Sequence, residues 1–491
     1  MPPVRAWLTL NLCLMAALPP GVRAALPPAP TPGAIVDAIV CTDDPTQSYA
    51  LYLPSNYTAE RAWPIVYCFD PAARGRRPVE RFRAAAELYG YIIVGSNNSR
   101  NNLREGIATV VNALLRDTYR RFRLDAHRKY AAGFSGGARV ACAVGTSVDF
   151  AGIIASGAGF SDKVVPAKLA PAFFGSAGRE DFNYSEMQLV DAALAAQHAR
   201  HRLVIFEGSH EWLPEPQATE ALAWMELQAM RSGLRPKDDA LIGTLLRQRL
   251  QAVAVLKNPG EAYEGYLAIS ADFAGLTDVS DPTGQAATLK DTKPVRQYFK
   301  DEKRAAQQEQ RWSENLYGAI AAAKNWTPFQ SRRDAASPQH RLPAAANSLG
   351  GADDSVQPGF GSGASMEEWA PADSDRADDT DRYAVLRDAV REVTRESKTI
   401  VAARRALNGA FGSSSEQGRY LMEDKNYTAA AECFEAAAII RPESPASYVE
   451  LTRAYALLGN RPKARECLQN AIVKGLNDPE RIKQLQALLA P

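Results

Sequence analysis

Between residues 34 and 232 the chain alternates short apolar runs with longer stretches in which apolar positions recur every three or four residues. Runs at 35–41 and 49–53 read as an opening pair of strands, closed by the turn-rich Leu53-Pro54-Ser55-Asn56. Further runs at 64–69, 91–95, 129–134, 151–155, 172–175 and 203–206 complete the set. Most are unbroken apolar segments, the pattern of strands buried on both faces of a parallel sheet. The intervening stretches 78–89, 102–120, 136–147, 185–200 and 217–231 carry helical spacing. Regular strand–helix alternation predicts a mostly parallel, doubly wound α/β domain over 34–232.

Gly233 and Pro236 punctuate the end of that pattern. Residues 237–325 are charged and helical, and Leu241, Leu245, Leu246, Leu250, Val253 and Leu256 place one face against something apolar. From 327 to 376 Ser, Ala, Pro, Gly and Asp dominate, the composition of a disordered linker. Helical spacing resumes near Tyr383, with Leu386, Val390, Val393, Ile400 and Leu407 on one face. An all-α region over 380–491 follows, and it contains an internal repeat. Gly418, Ala430, Phe434, Ala437 and Pro442 sit at the spacing of one repeat unit, a shift of about 34 residues lands on Ala464, Leu468 and Ala471, and Tyr448, Leu451 and Tyr455 fill the second first-helix. These positions resemble a pair of tetratricopeptide repeats over 411–480, capped by helices at 383–408 and after Pro479. The resemblance implies helical hairpins that bind a protein or peptide partner.

Charge narrows the field further. Fifty-seven Lys and Arg stand against 56 Asp and Glu, so the chain lacks the basic footprint of a nucleic-acid binder. Residues 1–24 read as a signal peptide: Arg5, an apolar run from Ala6 to Leu18, then Val22-Arg23-Ala24 before a cut. That run is too short to span a bilayer, so an exported protein, periplasmic or secreted and not integral to the membrane, is expected. Past it lie Cys41, Cys68, Cys142, Cys433 and Cys467, an odd count with irregular spacing that fits neither a disulfide framework nor a zinc site. They are expected to be small buried residues, with a single disulfide the alternative.

The chemistry concentrates at Gly133-Phe134-Ser135-Gly136-Gly137, which follows a predicted strand and opens a predicted helix. This is the context of a nucleophile elbow, in which a serine sits on a turn so tight that its neighbours must be small. Serine needs a base, and the chain has five histidines. His340 falls in the linker, His198 and His201 precede the last strand, and His127 lies at the wrong end of the nucleophile strand. His210 follows the last strand, at the carboxyl edge where α/β domains build their sites. Chain order Ser–acid–His then restricts the orienting carboxylate to 135–210. Asp181 is the first choice, Glu180 its main rival and Asp162 a distant third. Gly136 N–H supplies one oxyanion donor, and the loop Asp70–Gly75 the other, with Ala72 favoured over Asp70 because Pro71 has no N–H.

Tyr49-Ala-Leu-Tyr-Leu-Pro54, Gly133-Phe-Ser-Gly-Gly-Ala-Arg139, Asp181-Phe-Asn-Tyr184 and Glu207-Gly-Ser-His210 resemble the esterase group that includes polyhydroxybutyrate depolymerase-like and feruloyl-esterase-like proteins. The similarity covers about 45–230 and implies an α/β-hydrolase fold with a Ser135–Asp181–His210 triad acting on carboxylic esters. It implies no metal and no organic cofactor. The loop at 70–75 departs from the group's His-Gly pattern. A small-molecule or polymer-end ester is the expected substrate. The same machinery would serve a peptidase or thioesterase, and a catalytically weak hydrolase domain on a repeat scaffold is the non-enzymatic reading.

Overall fold

The structure, a computed structural model, describes residues 30–323 and 382–489, apart from 102, 104, 105, 148, 162 and 163. The expected signal segment and linker, with Asp162 and His340, lie outside the described residues. The chain divides into two units, one formed by Met1–Arg311 with Thr399–Gly409 and the other by Trp312–Lys398 with Ala410–Pro491.

The first unit is built on one eight-stranded sheet. Its strands are β1 (Ile35–Val40), β2 (Ser48–Tyr52), β3 (Trp63–Phe69), β4 (Ile92–Ser96), β5 (Leu124–Phe134), β6 (Gly152–Ser156), β7 (Ala172–Gly178) and β8 (His201–Phe206). They lie in the order β1-β2-β4-β3-β5-β6-β7-β8. Only β2 with its neighbours β1 and β4 pairs antiparallel, and every other pairing is parallel. The unbroken apolar runs are explained by two cores. Ile65, Tyr67 and Phe69 of β3 enter one, and Val66 and Cys68 enter the other. A strand alternates its side chains across the sheet, so with helices on both faces neither set of positions can be polar.

Helices α1 (Arg76–Tyr89), α2 (Ile107–Arg121), α3 (Gly136–Ser147), α4 (Tyr184–Ala196) and α5 (Glu215–Arg231) connect or follow the strands. β5 starts five residues before the predicted run, because the polar 124–128 segment still pairs Leu124 with Trp63. After α5 come α6 (Asp239–Ala254), α7 (Pro259–Phe273), α8 (Ser280–Lys290) and α9 (Lys293–Ala322). Composition places a boundary at 233, yet α5 shares a core with these helices. Ala223, Leu227 and Met230 pack with Ile242, Leu245, Val253, Ile269 and Phe273. Leu256, expected on that face, is 40% exposed because α6 has already ended. Two of these helices are capped by side chains: Asp238 accepts from Leu241 N–H and Asn258 from Gly260 N–H.

The second unit is helical where described. Its α10 (Ala384–Ser397) is a separate helix, and the stretch expected as one helix over 383–408 is interrupted before α11 (Val401–Glu423), whose opening residues belong to the first unit. Then follow α12 (Tyr427–Ile440), α13 (Pro445–Leu457), α14 (Arg461–Val473) and α15 (Pro479–Ala487). The repeat signature has a packing cause. A Cβ on Gly418 would come within 2.4 Å of the Phe434 ring. Ala430, Phe434, Leu451, Ala454, Tyr455, Ala464, Leu468 and Ala471 form one continuous core. Small residues let paired helices approach, and the larger ones fill the space between them.

All five described cysteines are buried, and none of them forms a disulfide. Burial pushes the Cys41 thiol up to about 12, helped by the nearby Asp117 carboxylate. Among the described residues no helix is long and apolar enough to cross a membrane.

Candidate active site

The centre of the site is the turn between β5 and α3. Ser135 has φ +53°, a left-handed conformation that a residue with a side chain adopts only when its surroundings force it. The forcing comes from glycines. A Cβ on Gly133 would sit 2.0 Å from Gly137 O, and one on Gly137 would sit 1.9 Å from Phe69 O. Strand, turn and helix therefore press together with backbone against backbone, and Ser135 is driven out to the sheet's carboxyl edge. Ser135 N–H donates to Ser156 O at 2.9 Å, which ties the turn to β6. Gly136 and Gly137 open α3, so their N–H groups lack the carbonyl partner that a residue deeper in a helix would have.

His210 lies in the loop after β8, with Nε2 2.9 Å from Ser135 Oγ. Its Nδ1 is 2.8 Å from Asp181 Oδ1. The imidazole is held between two rings, Phe182 at 4.1 Å and Phe134 at 4.6 Å between centroids. Asp181 is fully buried. Its Oδ1 also accepts from Asn183 N–H at 2.8 Å, while Oδ2 has no hydrogen-bond partner. Gly157, at φ +63°, closes the floor: a Cβ there would lie 2.9 Å from Asp181 Oδ2 and 3.2 Å from His210 Cε1.

The rival residues point elsewhere. Glu180 pairs with Arg404 at 2.8 Å. His201 binds Ala199 O through Nδ1, at 2.8 Å. His127 is exposed in the polar start of β5, and His198 follows α4 with φ +52°.

The loop after β3 requires a correction. Ala72 was expected to aim its N–H at a developing oxyanion, but it donates to Asp70 Oδ1 at 2.8 Å. The physical reason is the burial of Asp70, whose carboxylate has no access to water and must be satisfied within the protein. It also accepts from Trp212 Nε1 at 2.8 Å and from the Arg74 guanidinium at 2.9 and 3.1 Å. Asp70 thus ties the β3 loop to the loop that carries His210. The alternative donor, the Asp70 main chain, lies beside the elbow, with its nitrogen 3.2 Å from where a Gly137 Cβ would be.

Sequence reasoning missed Asn101. Its Oδ1 lies 1.8 Å from where a Cβ on Gly136 would stand, so this exposed amide borders the Ser135 turn. No local pattern marks it, since it reaches the site because Asn101 N–H donates to Pro71 O at 2.8 Å.

This sheet order, with a serine elbow after its central strand and a histidine loop after its last, defines an α/β-hydrolase fold. Comparison with known proteins adds the following. Residues 421–489 match the tetratricopeptide repeat family model. Similar solved structures include a ferulic acid esterase, 17% identical with a TM-score of 0.33, over 39% of this chain and 97% of that one. An S-formylglutathione hydrolase from Staphylococcus aureus is 14% identical with a TM-score of 0.33, over 40% and 99%. A feruloyl esterase module from Clostridium thermocellum is 15% identical with a TM-score of 0.33, over 42% and 92%. No curated protein matches the chain.

Proposed function

We propose that the chain is an exported serine hydrolase that cleaves carboxylic esters through a Ser135–His210–Asp181 triad, and that its tetratricopeptide repeats bind a protein or peptide partner. The hydrogen-bonded chain Ser135 Oγ–His210–Asp181, with spacings of 2.9 and 2.8 Å, carries this reading. His210 Nε2 takes the proton as Ser135 Oγ attacks the ester carbonyl carbon. Asp181 accepts from His210 Nδ1–H, which fixes the tautomer that leaves Nε2 free to act as base, and it stabilises the imidazolium that forms. The tetrahedral oxyanion accepts from Gly136 N–H. A second donor comes from the 70–75 loop, where Asp70 N–H stands beside the elbow and Ala72 N–H would first have to leave the Asp70 carboxylate. The C–O bond then breaks, His210 returns the proton to the leaving alcohol, and an acyl-serine remains. Water, deprotonated by His210, hydrolyses that acyl group and restores the serine. Export rests on the charge and hydropathy pattern of residues 1–24.

The test is a panel of p-nitrophenyl esters, an acyl-thioester and an aminoacyl-anilide, with fluorophosphonate labelling of the wild type and Ser135→Ala. Ester turnover and labelling that vanish in Ser135→Ala support the reading. Faster turnover of the thioester or anilide reassigns the substrate class. No labelling and no turnover leave a hydrolase fold that serves only as a scaffold.

A further inference from the structure

The loop Arg179–Asn183 carries Asp181, and its inner side is held by neighbouring strands and loops. Arg179 N–H donates to Phe206 O and Glu180 N–H to Gly208 O, at 2.8 and 2.9 Å. Its outer side is held by residues from the far end of the chain that fold back into the same unit. Arg405 Nη1 donates to Arg179 O at 3.0 Å, and Asn408 Nδ2 to Glu180 O at 2.9 Å. The two carbonyls immediately before Asp181 are thus both occupied by side chains of α11. Arg404 adds its ion pair with the Glu180 carboxylate.

Arg405 is itself fixed. It forms an ion pair with Glu309 at 2.6 Å, with both side chains only 8% exposed, and its guanidinium lies 4.2 Å from the Tyr184 ring centroid. Ser185 Oγ donates to the other Glu309 oxygen at 3.2 Å. Burying a charged pair costs desolvation that an apolar pair would avoid, so such a pair gains stability poorly but fixes geometry well. The geometry matters because Asp181 is tethered through one oxygen only, Oδ2 having no partner. The direction of its carboxylate therefore depends on where the main chain at 179–181 lies.

We propose that Arg405, seated on Glu309 and assisted by Asn408, is a positioning residue for the Asp181–His210 pair. This rests on the triad reading above. Arg405 touches no reacting atom. It holds the acid loop so that Asp181 Oδ1 stays within hydrogen-bond distance of His210 Nδ1.

The experiment compares full-length wild type with Arg405→Gln, Arg405→Lys, Asn408→Ala and Ser135→Ala. It measures kcat and KM on a p-nitrophenyl ester, together with thermal unfolding. A displacement of about 1 Å at a catalytic group costs on the order of 100-fold, so Arg405→Gln should lose about 10- to 100-fold in kcat with KM little changed. Arg405→Lys keeps a cation for Glu309 and should recover part of the loss. Asn408→Ala, which leaves the buried pair intact, should lose a few-fold and guards against Arg405→Gln failing to fold. Variants with wild-type kcat, whatever their melting temperature, overturn the positioning role while leaving the triad reading intact. Turnover or labelling that persists in Ser135→Ala overturns the triad reading, and the positioning role falls with it.

Discussion

The turn that carries Ser135 and the loop that carries Asp181 end up within one hydrogen-bonded chain, yet they are held in place by opposite means. The Ser135 turn is shaped mainly by its own glycines, with Phe69 O and Ser156 O closing on it from neighbouring strands. Glycines at 133 and 137 permit backbone contacts that no other residue allows, and the serine is left with φ +53°. The Asp181 loop is entered through one close approach, at Gly178, where a Cβ would lie 2.3 Å from Ser209 O, and beyond it relies on distant residues. It is held by Phe206 and Gly208 on one side and by Arg405 and Asn408 on the other, the last two 226 and 228 positions from their partners. A nucleophile can be specified locally because its requirement is a strained turn. An orienting acid needs only a correct position, which any sufficiently rigid set of contacts can supply.

The comparison can be tested at several strengths. Ser135→Ala removes the proposed nucleophile and should lower the proposed ester turnover by about 10⁶, measured as kcat under substrate saturation. Asp181→Asn preserves shape but favours the wrong histidine tautomer, and should cost about 10⁴ in kcat with the melting temperature nearly unchanged. If it costs less than tenfold, the acid loop matters far less than the elbow. Gly133→Ala tests the local device: its Cβ would overlap Gly137 O at 2.0 Å, so denaturant unfolding should show about 3 kcal/mol lost.

A smaller effect concerns the scaffold under β2. Asp117 is desolvated by burial, which alone would raise its pKa. Hydrogen bonds from Arg121, Thr42 and Tyr49 outweigh this and hold the carboxyl below its ordinary range. A depressed carboxylate contributes stability that is present above its unfolded pKa, about 3.9, and that is lost as pH falls through the lower folded value. Melting temperature should therefore drop on acidification below about pH 4, and the drop should be shallower in Asp117→Asn. Equal slopes in the two proteins would remove Asp117 from the account.

Legibility in the sequence follows the same division. The inner strands were visible because burial on both faces leaves an unbroken apolar run, and the repeat because Ala430, Phe434 and Ala437 are answered 34 residues later by Ala464, Leu468 and Ala471. Ser135, His210 and Asp181 were each marked by position after a strand. Strand order was hidden, since hydrophobicity does not say which strand lies beside which. The commitment of Ala72 N–H was hidden too, because whether Asp70 is buried depends on Trp212, 142 residues away. Arg405 was the least visible. In a helix rich in arginine and alanine it reads as one more solvated cation, and its burial depends on Glu309 and the 179–185 segment.

The latch on the acid loop also has a consequence in time. A chain emerges from the ribosome amino end first, and its early domains begin to fold while the rest is still being made. The sheet, the elbow and His210 are complete once residue 231 has appeared, but Arg179 and Glu180 must wait for Arg405 and Asn408. A nascent chain stalled between these points would have its nucleophile in place and its acid loop unlatched. On the proposed triad, catalytic maturity would then arrive late in synthesis, set by the last segment to join the first unit.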